Sequence, residues 1–514
     1  MNQAELATRE IERLLDFALR KGLMQEEDRA YCRNLLLDAM RMEAPAELDG
    51  PVEPHRGETA TPITDVLCAV AEERGLIEPY AYARDLFATR LMGLVTPSPR
   101  TVREEFAARA AAGPQAATDW FYGLCRACDY IRVDAIAQNI RFFQDSPAGE
   151  LEITINLSKP EKDPREIAKL KNAPSVGYPR CMLCVENPGY AGRSNFPARQ
   201  NHRVVPLDLA GSRWYLQYSP YAYYPEHIIV FNREHVPMRI DRGTFERLFS
   251  FVGQFPHYML GSNADLPIVG GSILNHDHFQ GGRYHFPMDK AGVRCRLVSP
   301  AEGVEAEIAD WPMSALRLRG TDPEAMTGEA VRILDAWRAW SDPDRGILAE
   351  SAGEKHNTIT PILRREEDGR YCLTLVLRNN RVTEEHPLGL FHPHAELHHI
   401  KRENIGLIEV MGLFILPGRL KTELKLLEAY LTGERPLERP GDGCPEAKHF
   451  DWVADIVARR GLSSGSEAAE AVLREELAAV CARVLQDAGV YKQTDDGLRG
   501  FLAFAASLGY AAAE

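Results

Sequence analysis

Gly270-Gly271-Ser272-Ile273-Leu274-Asn275-His276-Asp277-His278-Phe279-Gln280-Gly281-Gly282 decides how this 514-residue chain is read. It sets two imidazoles and a carboxamide at alternate positions. Read as a strand, it turns His276, His278 and Gln280 to one face, because strand side chains repeat every two residues. Asp277 then points to the other face. Glycine pairs at both ends let a phosphate approach the backbone, which makes Gly270, Gly271 and the adjoining Ser272 candidate substrate contacts. A neutral imidazole is a nucleophile near neutral pH, and a carboxamide holds a phosphate oxygen without adding charge. The segment reads as a site for nucleotidyl transfer through a covalent histidine. An HxH pair alone is also a common surface or metal motif, so the reading leans on what lies upstream.

Upstream stand Cys181-Met-Leu-Cys184 and, at the end of an apolar run, Asn232-Arg-Glu-His235. Two thiolates at CxxC spacing with two imidazoles, His235 and His276, make a tetrahedral Cys2His2 set that would hold a structural zinc. A reduced pair of structural cysteines is the other reading of the same spacing. The second CxxC pair, Cys125 and Cys128, falls in a helical stretch and reads as buried.

Between the cysteines and histidines runs Asn195-Phe-Pro-Ala-Arg199-Gln-Asn201-His202-Arg203. Its Arg199, Asn201 and Arg203 suit a nucleotide's phosphates, and a solvated surface loop is the plain alternative. Asn263, fifteen residues before His278, is a further candidate for orienting phosphate or base.

Around this centre the patterning shifts twice. Residues 1–146 read as helical, with Ile11, Leu14, Leu15, Ala18 and Leu19 at helical spacing and further helical stretches through Ala81–Leu94, Val102–Ala112 and Trp120–Phe143. Residues 147–300 alternate short β-type runs with one helix capped by Asp241. Residues 301–432 form a second β-rich unit with a hairpin signal at Asp368-Gly369 and a second HxH element, His392-Pro-His394. Residues 433–514 are a Pro-rich linker and a helical tail. The expected class is α+β: two antiparallel sheet-and-helix units flanked by helical regions. The length suits about three folded units.

Composition narrows the function. A net charge of −14 argues against nonspecific nucleic-acid binding. The longest apolar stretch, 405–417, is too short to span a bilayer, and the first residues lack a signal-peptide pattern, so a cytoplasmic enzyme with no membrane partner is expected.

Taken together, Cys181-x-x-Cys184, Gly189-Tyr-Ala-Gly-Arg193, Pro197-Ala-Arg-Gln-Asn-His-Arg203, Gln217-Tyr-Ser-Pro-Tyr221, Gly261–Ser272 and His276-Asp-His-Phe-Gln280 resemble the class II, bacterial-type galactose-1-phosphate uridylyltransferases, a branch of the histidine-triad superfamily. The resemblance covers roughly residues 10–430 and is densest over 177–287. It implies two HIT-like units and exchange between UDP-glucose or UDP-galactose and hexose-1-phosphates, through a uridylyl-histidine. It implies that His278 is the nucleophile, that Gln280 holds the phosphate, and that His276 serves both the catalytic motif and a zinc bound with Cys181, Cys184 and His235. Asp277 stands where the class I motif has proline. His392 and His394 would belong to a degenerate second copy lining the hexose pocket, since Glu396 replaces the glutamine there.

Three other functions stay open from sequence: a related HIT-like nucleotidyltransferase or phosphorylase, a dinucleotide hydrolase, and a zinc-dependent binding protein. The oligomeric state, a homodimer included, is not written in the sequence.

Overall fold

A computed structural model describes residues 2–158, 176–441 and 443–513. The chain is a mixed helix-and-strand protein with antiparallel sheets, as the α+β patterning predicts. Its described residues fall into two compact units, 2–138 with 176–235, and 139–158 with 236–441 and 443–513. Among them no helix is long and apolar enough to cross a membrane.

The first unit begins with helix Gln3–Arg20. Asn2 caps it, accepting from the Glu5 N–H while Glu5 answers the Asn2 N–H. This capping box satisfies donors that the first turn leaves orphaned. Ile11, Leu14, Leu15 and Ala18 are buried on one face, the pattern that the helical spacing predicts. Helices Arg29–Ala39, Thr61–Glu73, Ala81–Val95, Pro99–Ala110 and Pro114–Ala127 follow. Proline at the first helical position opens the last two, where its missing N–H costs nothing.

The expected helical stretch Trp120–Phe143 is corrected here. The helix stops at Ala127, Asp129 takes a left-handed φ of +55°, and Ile140–Ser146 is a strand. Its residues alternate between half-buried and exposed, a period of two that outweighs helical propensity.

The first unit closes with an antiparallel meander of Val205–Leu209, Ser212–Tyr218 and Ile228–Asn232, in which Leu207 faces Trp214 and Leu216 faces Val230. Ala210 and Gly211 both have positive φ, the two-residue turn that matches strand twist.

In the second unit, strand Ile140–Ser146 pairs with Gly149–Asn156, which Leu413–Pro417 joins in parallel. A longer sheet runs from His278–Gly282 through Met259–Gly261, Asn357–Arg365, Tyr371–Asn379, Ala315–Gly320 and Glu305–Ala309 to Val293–Val298. Asn357–Arg365 and Tyr371–Asn379 form the hairpin predicted at Asp368-Gly369, with Gly369 at φ +86°. Helices Arg242–Gln254 and Pro323–Ala339 pack on each other and on strand Asn357–Arg365. Trp337 anchors the second helix, buried, its indole N–H donating to the carbonyls of Thr358 and Arg378. The C-terminal helices Leu420–Leu431, Phe450–Arg460 and Ser466–Ala488 share a core of Leu427, Tyr430, Val453, Ile456 and Leu473.

Candidate active site

Strand His278–Gly282 lies against Met259–Gly261, with Gln280 opposite Gly261 and Gly281 opposite Leu260. Gly281 has no room for a side chain, since a Cβ would stand 2.2 Å from the Met259 carbonyl oxygen. His278 and Gln280, two apart on this strand, share a face. His276 precedes the strand, in a bend, so the three side chains do not lie on one strand as the spacing suggests. The Asp277 N–H donates to the Val236 carbonyl at 2.7 Å, which draws the chain out of the ladder just before His278. The Asp277 carboxylate lies 3.8 Å from Nη1 of Arg247 on helix Arg242–Gln254.

The departure of His276 from the strand has a chemical consequence. Nδ1 of His278 lies 2.8 Å from the backbone carbonyl oxygen of His276. A carbonyl only accepts, so Nδ1 carries the proton and Nε2 carries the lone pair. Burial pushes the His278 imidazole down to about 4, against the raising effect of that hydrogen bond, and favours the neutral, nucleophilic ring.

The metal ligands expected from sequence come together. The sulfurs of Cys181 and Cys184 are 3.6 Å apart, and Cys184 Sγ lies 3.1 Å from His235 Nδ1. With His276 included, one ligand atom from each of the four residues lies within 4.8 Å of the others. A tetrahedral zinc with bonds of about 2.3 Å to sulfur and 2.0 Å to nitrogen sets its ligand atoms roughly 3.3–3.8 Å apart; two thiols and two imidazoles are the donor set that suits that ion, and the 3.6 Å between the two sulfurs falls in that range. Burial and the neighbouring thiol push the Cys184 thiol up, and a cation in the cluster would relieve both effects. Asn187, which sequence reasoning missed, is buried and donates through Nδ2 to the carbonyls of Cys181 and Cys184 at 2.9 and 2.8 Å. The clue was its place three residues after Cys184, where a side chain can close the turn.

The basic loop divides. Asn201 donates to the Cys128 carbonyl at 2.8 Å while its own carbonyl receives the Cys128 thiol. Arg203 donates to the carbonyls of Pro97, Gln200, His202 and Thr96. Both side chains are thus committed to fastening the loop to the helical layer, which does not match the phosphate role expected for them. Arg199 is different. Its guanidinium sits 5.6 Å over the Tyr130 ring, and its Nε has no hydrogen-bond partner among the described residues.

The glycine loop packs around Asn263. The Asn263 carbonyl oxygen Oδ1 accepts from the Leu407 N–H at 2.8 Å. A Cβ on Gly271 would meet Asn263 Nδ2 at 2.8 Å, and one on Gly270 would meet the Ala264 oxygen at 2.6 Å. These glycines are required by close packing. Ser272 is exposed. Asn404 donates to the Gly270 carbonyl and hydrogen-bonds buried His392, which ties the second HxH element to this loop. His394 stacks on His386 at 4.0 Å, and its backbone N–H donates to Asp487. Neither histidine of this element lies on a strand.

Known proteins share this sequence pattern along its length. Residues 23–237 match the galactose-1-phosphate uridyl transferase N-terminal domain, and residues 251–439 match the C-terminal domain of the same family. A galactose-1-phosphate uridylyltransferase of Caldanaerobacter subterraneus is 48% identical over 508 residues, covering 97% of this chain and 98% of its own. One from Bacillus subtilis is 46% identical over 502 residues, covering 97% of each. A crystal structure of yeast Ap4A phosphorylase Apa2 aligns with 68% of this chain and 98% of its own at 14% identity, with a TM-score of 0.33, too loose a likeness to carry an argument.

Proposed function

Because the chain belongs to the galactose-1-phosphate uridylyltransferase family, we propose that it is a nucleotidyltransferase exchanging uridylyl groups between UDP-glucose and galactose-1-phosphate through His278. Nε2 of His278 attacks the α-phosphorus of UDP-glucose. The bond to the glucose-1-phosphate oxygen breaks, and that product leaves as an anion needing no strong acid. The phosphate of galactose-1-phosphate then attacks the uridylyl-histidine, giving UDP-galactose and returning the electron pair to Nε2. Covalent catalysis divides one hard transfer into two easier ones.

The observation that carries this reading is the 2.8 Å contact of His278 Nδ1 with the His276 carbonyl, which fixes the reactive tautomer. Gln280, on the same strand face, would donate to a non-bridging oxygen as charge builds there. Arg199, with an unfilled donor, is the residue of the basic loop best able to meet a phosphate. Asn263, Gly270, Gly271 and Ser272 would border the phosphates, and His392, tied to their loop through Asn404, the sugar side.

Cys181, Cys184, His235 and His276 would hold a zinc whose contribution is structural. The ring of His276 would bind the metal while its carbonyl orients His278, so the ion would fix the geometry without touching substrate. A cytosolic location belongs to the same proposal.

The test is positional exchange without acceptor. Labelled glucose-1-phosphate should enter UDP-glucose in the absence of galactose-1-phosphate. Exchange that requires both sugar phosphates at once would contradict the ping-pong order.

A further inference from the structure

A groove of about 1350 Å³ lies within the second unit, bordered by the hairpin tip at 144–147, the segment 395–399 and helices Phe450–Arg460 and Ser466–Ala488. No residue assigned to the uridylyl exchange lines it.

Behind the groove runs a chain of hydrogen bonds with a defined direction. Buried Glu423 accepts from Lys448 Nζ and Arg419 Nη1, each at 2.5 Å, and from His449 Nε2 at 3.0 Å. A carboxylate ringed by cations stays ionised and only accepts, so His449 donates through Nε2. Nδ1 of His449 lies 2.7 Å from Nδ1 of His399. With the His449 proton committed to Glu423, its Nδ1 accepts and His399 donates. His399, which lines the groove, is left with an unprotonated Nε2. Burial beside His449 pushes the His399 imidazole down to about 4, in keeping with a neutral acceptor.

The walls say what an acceptor there would take. The lining carries six carboxylates against four cations. Each cation is already paired: Arg459 with Glu476, Arg460 with Glu475, Arg483 with Glu396 and Lys448 with Glu423. A phosphate would meet surplus negative charge and, among the described residues of the lining, no unpaired cation. The Trp452 ring lies 5.3 Å from the His399 ring and offers an apolar face beside the acceptor. An indole face, a neutral imidazole acceptor and alternating carboxylates and guanidinium edges suit a ligand with hydroxyl donors on one side and C–H groups on the other.

We propose that this groove is a second binding site, for a neutral saccharide, in which a sugar hydroxyl donates to Nε2 of His399 and the C–H face of the ring rests on Trp452. It is chemically distinct from the anionic substrates of the exchange reaction.

The test uses the full chain with histidine-selective ¹⁵N labelling and a titration with galactose, glucose, lactose and sucrose. At least one should bind saturably and shift the His399 Nε2 resonance. His399→Phe and Trp452→Leu should each weaken that binding at least tenfold, read by a second resonance of the groove, with uridylyl exchange unchanged. If either variant fails to fold, the resonance shift in the unaltered chain still decides. No saturable shift with any of the four sugars would overturn the proposal. So would binding that survives both variants within twofold, or inorganic phosphate shifting the same resonance with equal affinity.

Discussion

Nδ1 of His278 sits 2.8 Å from the carbonyl oxygen of His276, a residue two positions earlier that is no longer on the strand. The bend at Asn275–Asp277 is what makes this contact. In a regular strand the carbonyl of residue i−2 does not turn toward the side chain of residue i, and the imidazole would lack a fixed tautomer.

Replacing the nucleophile should stop the chemistry. His278→Ala and His278→Asn should lower the rate of UDP-glucose and galactose-1-phosphate exchange by at least a thousandfold, about 4 kcal/mol of barrier. Steady-state assays of folded variants check it. A loss under tenfold would remove His278 from the role.

Asp277 should be dispensable for the transfer. Its carboxylate lies 3.8 Å from the Arg247 guanidinium, so it is engaged with a cation and not offered as a base for water. Asp277→Asn should leave the lifetime of the uridylyl-enzyme within about threefold. A much longer-lived adduct in this variant would show that Asp277 does promote hydrolysis.

One zinc per chain is expected in freshly purified protein, by elemental analysis. Cys184→Ser should lower the melting temperature and release the ion. Asn187→Ala, which frees the two cysteine carbonyls, should weaken metal affinity about 10- to 100-fold. Full activity in protein free of zinc and iron would contradict the assignment.

Gly271→Ala should destabilise the chain by roughly 1–3 kcal/mol, because its Cβ would press on the Asn263 amide that holds the Leu407 N–H. Calorimetry reads the change. An unaltered melting temperature would mean that Asn263 moves aside freely.

The parts of this site that can be read from sequence are those set by short spacing. The pairing of His278 with Gln280 on one face, the Cys181–Cys184 turn and the Asp368-Gly369 hairpin follow from periods of two or three residues. What escaped depends on long-range partners. Arg203 resembles a phosphate ligand until the carbonyls of Thr96 and Pro97, over a hundred residues earlier, are brought against it. The stretch Ile140–Phe143 resembles a helical continuation until Gly149–Asn156 supplies a strand to pair with. His276 leaves its strand because Val236, forty residues upstream in sequence, takes the Asp277 N–H. Neither the run of alternating side chains nor its glycine frame carries that information.

The covalent histidine is tested most directly by intact-mass spectrometry of the protein mixed with UDP-glucose alone, followed by peptide mapping. The mechanism predicts one uridylyl group per chain, on His278, that persists until galactose-1-phosphate is added and then disappears. A uridylyl group on another residue, or none under conditions where exchange proceeds, would contradict it.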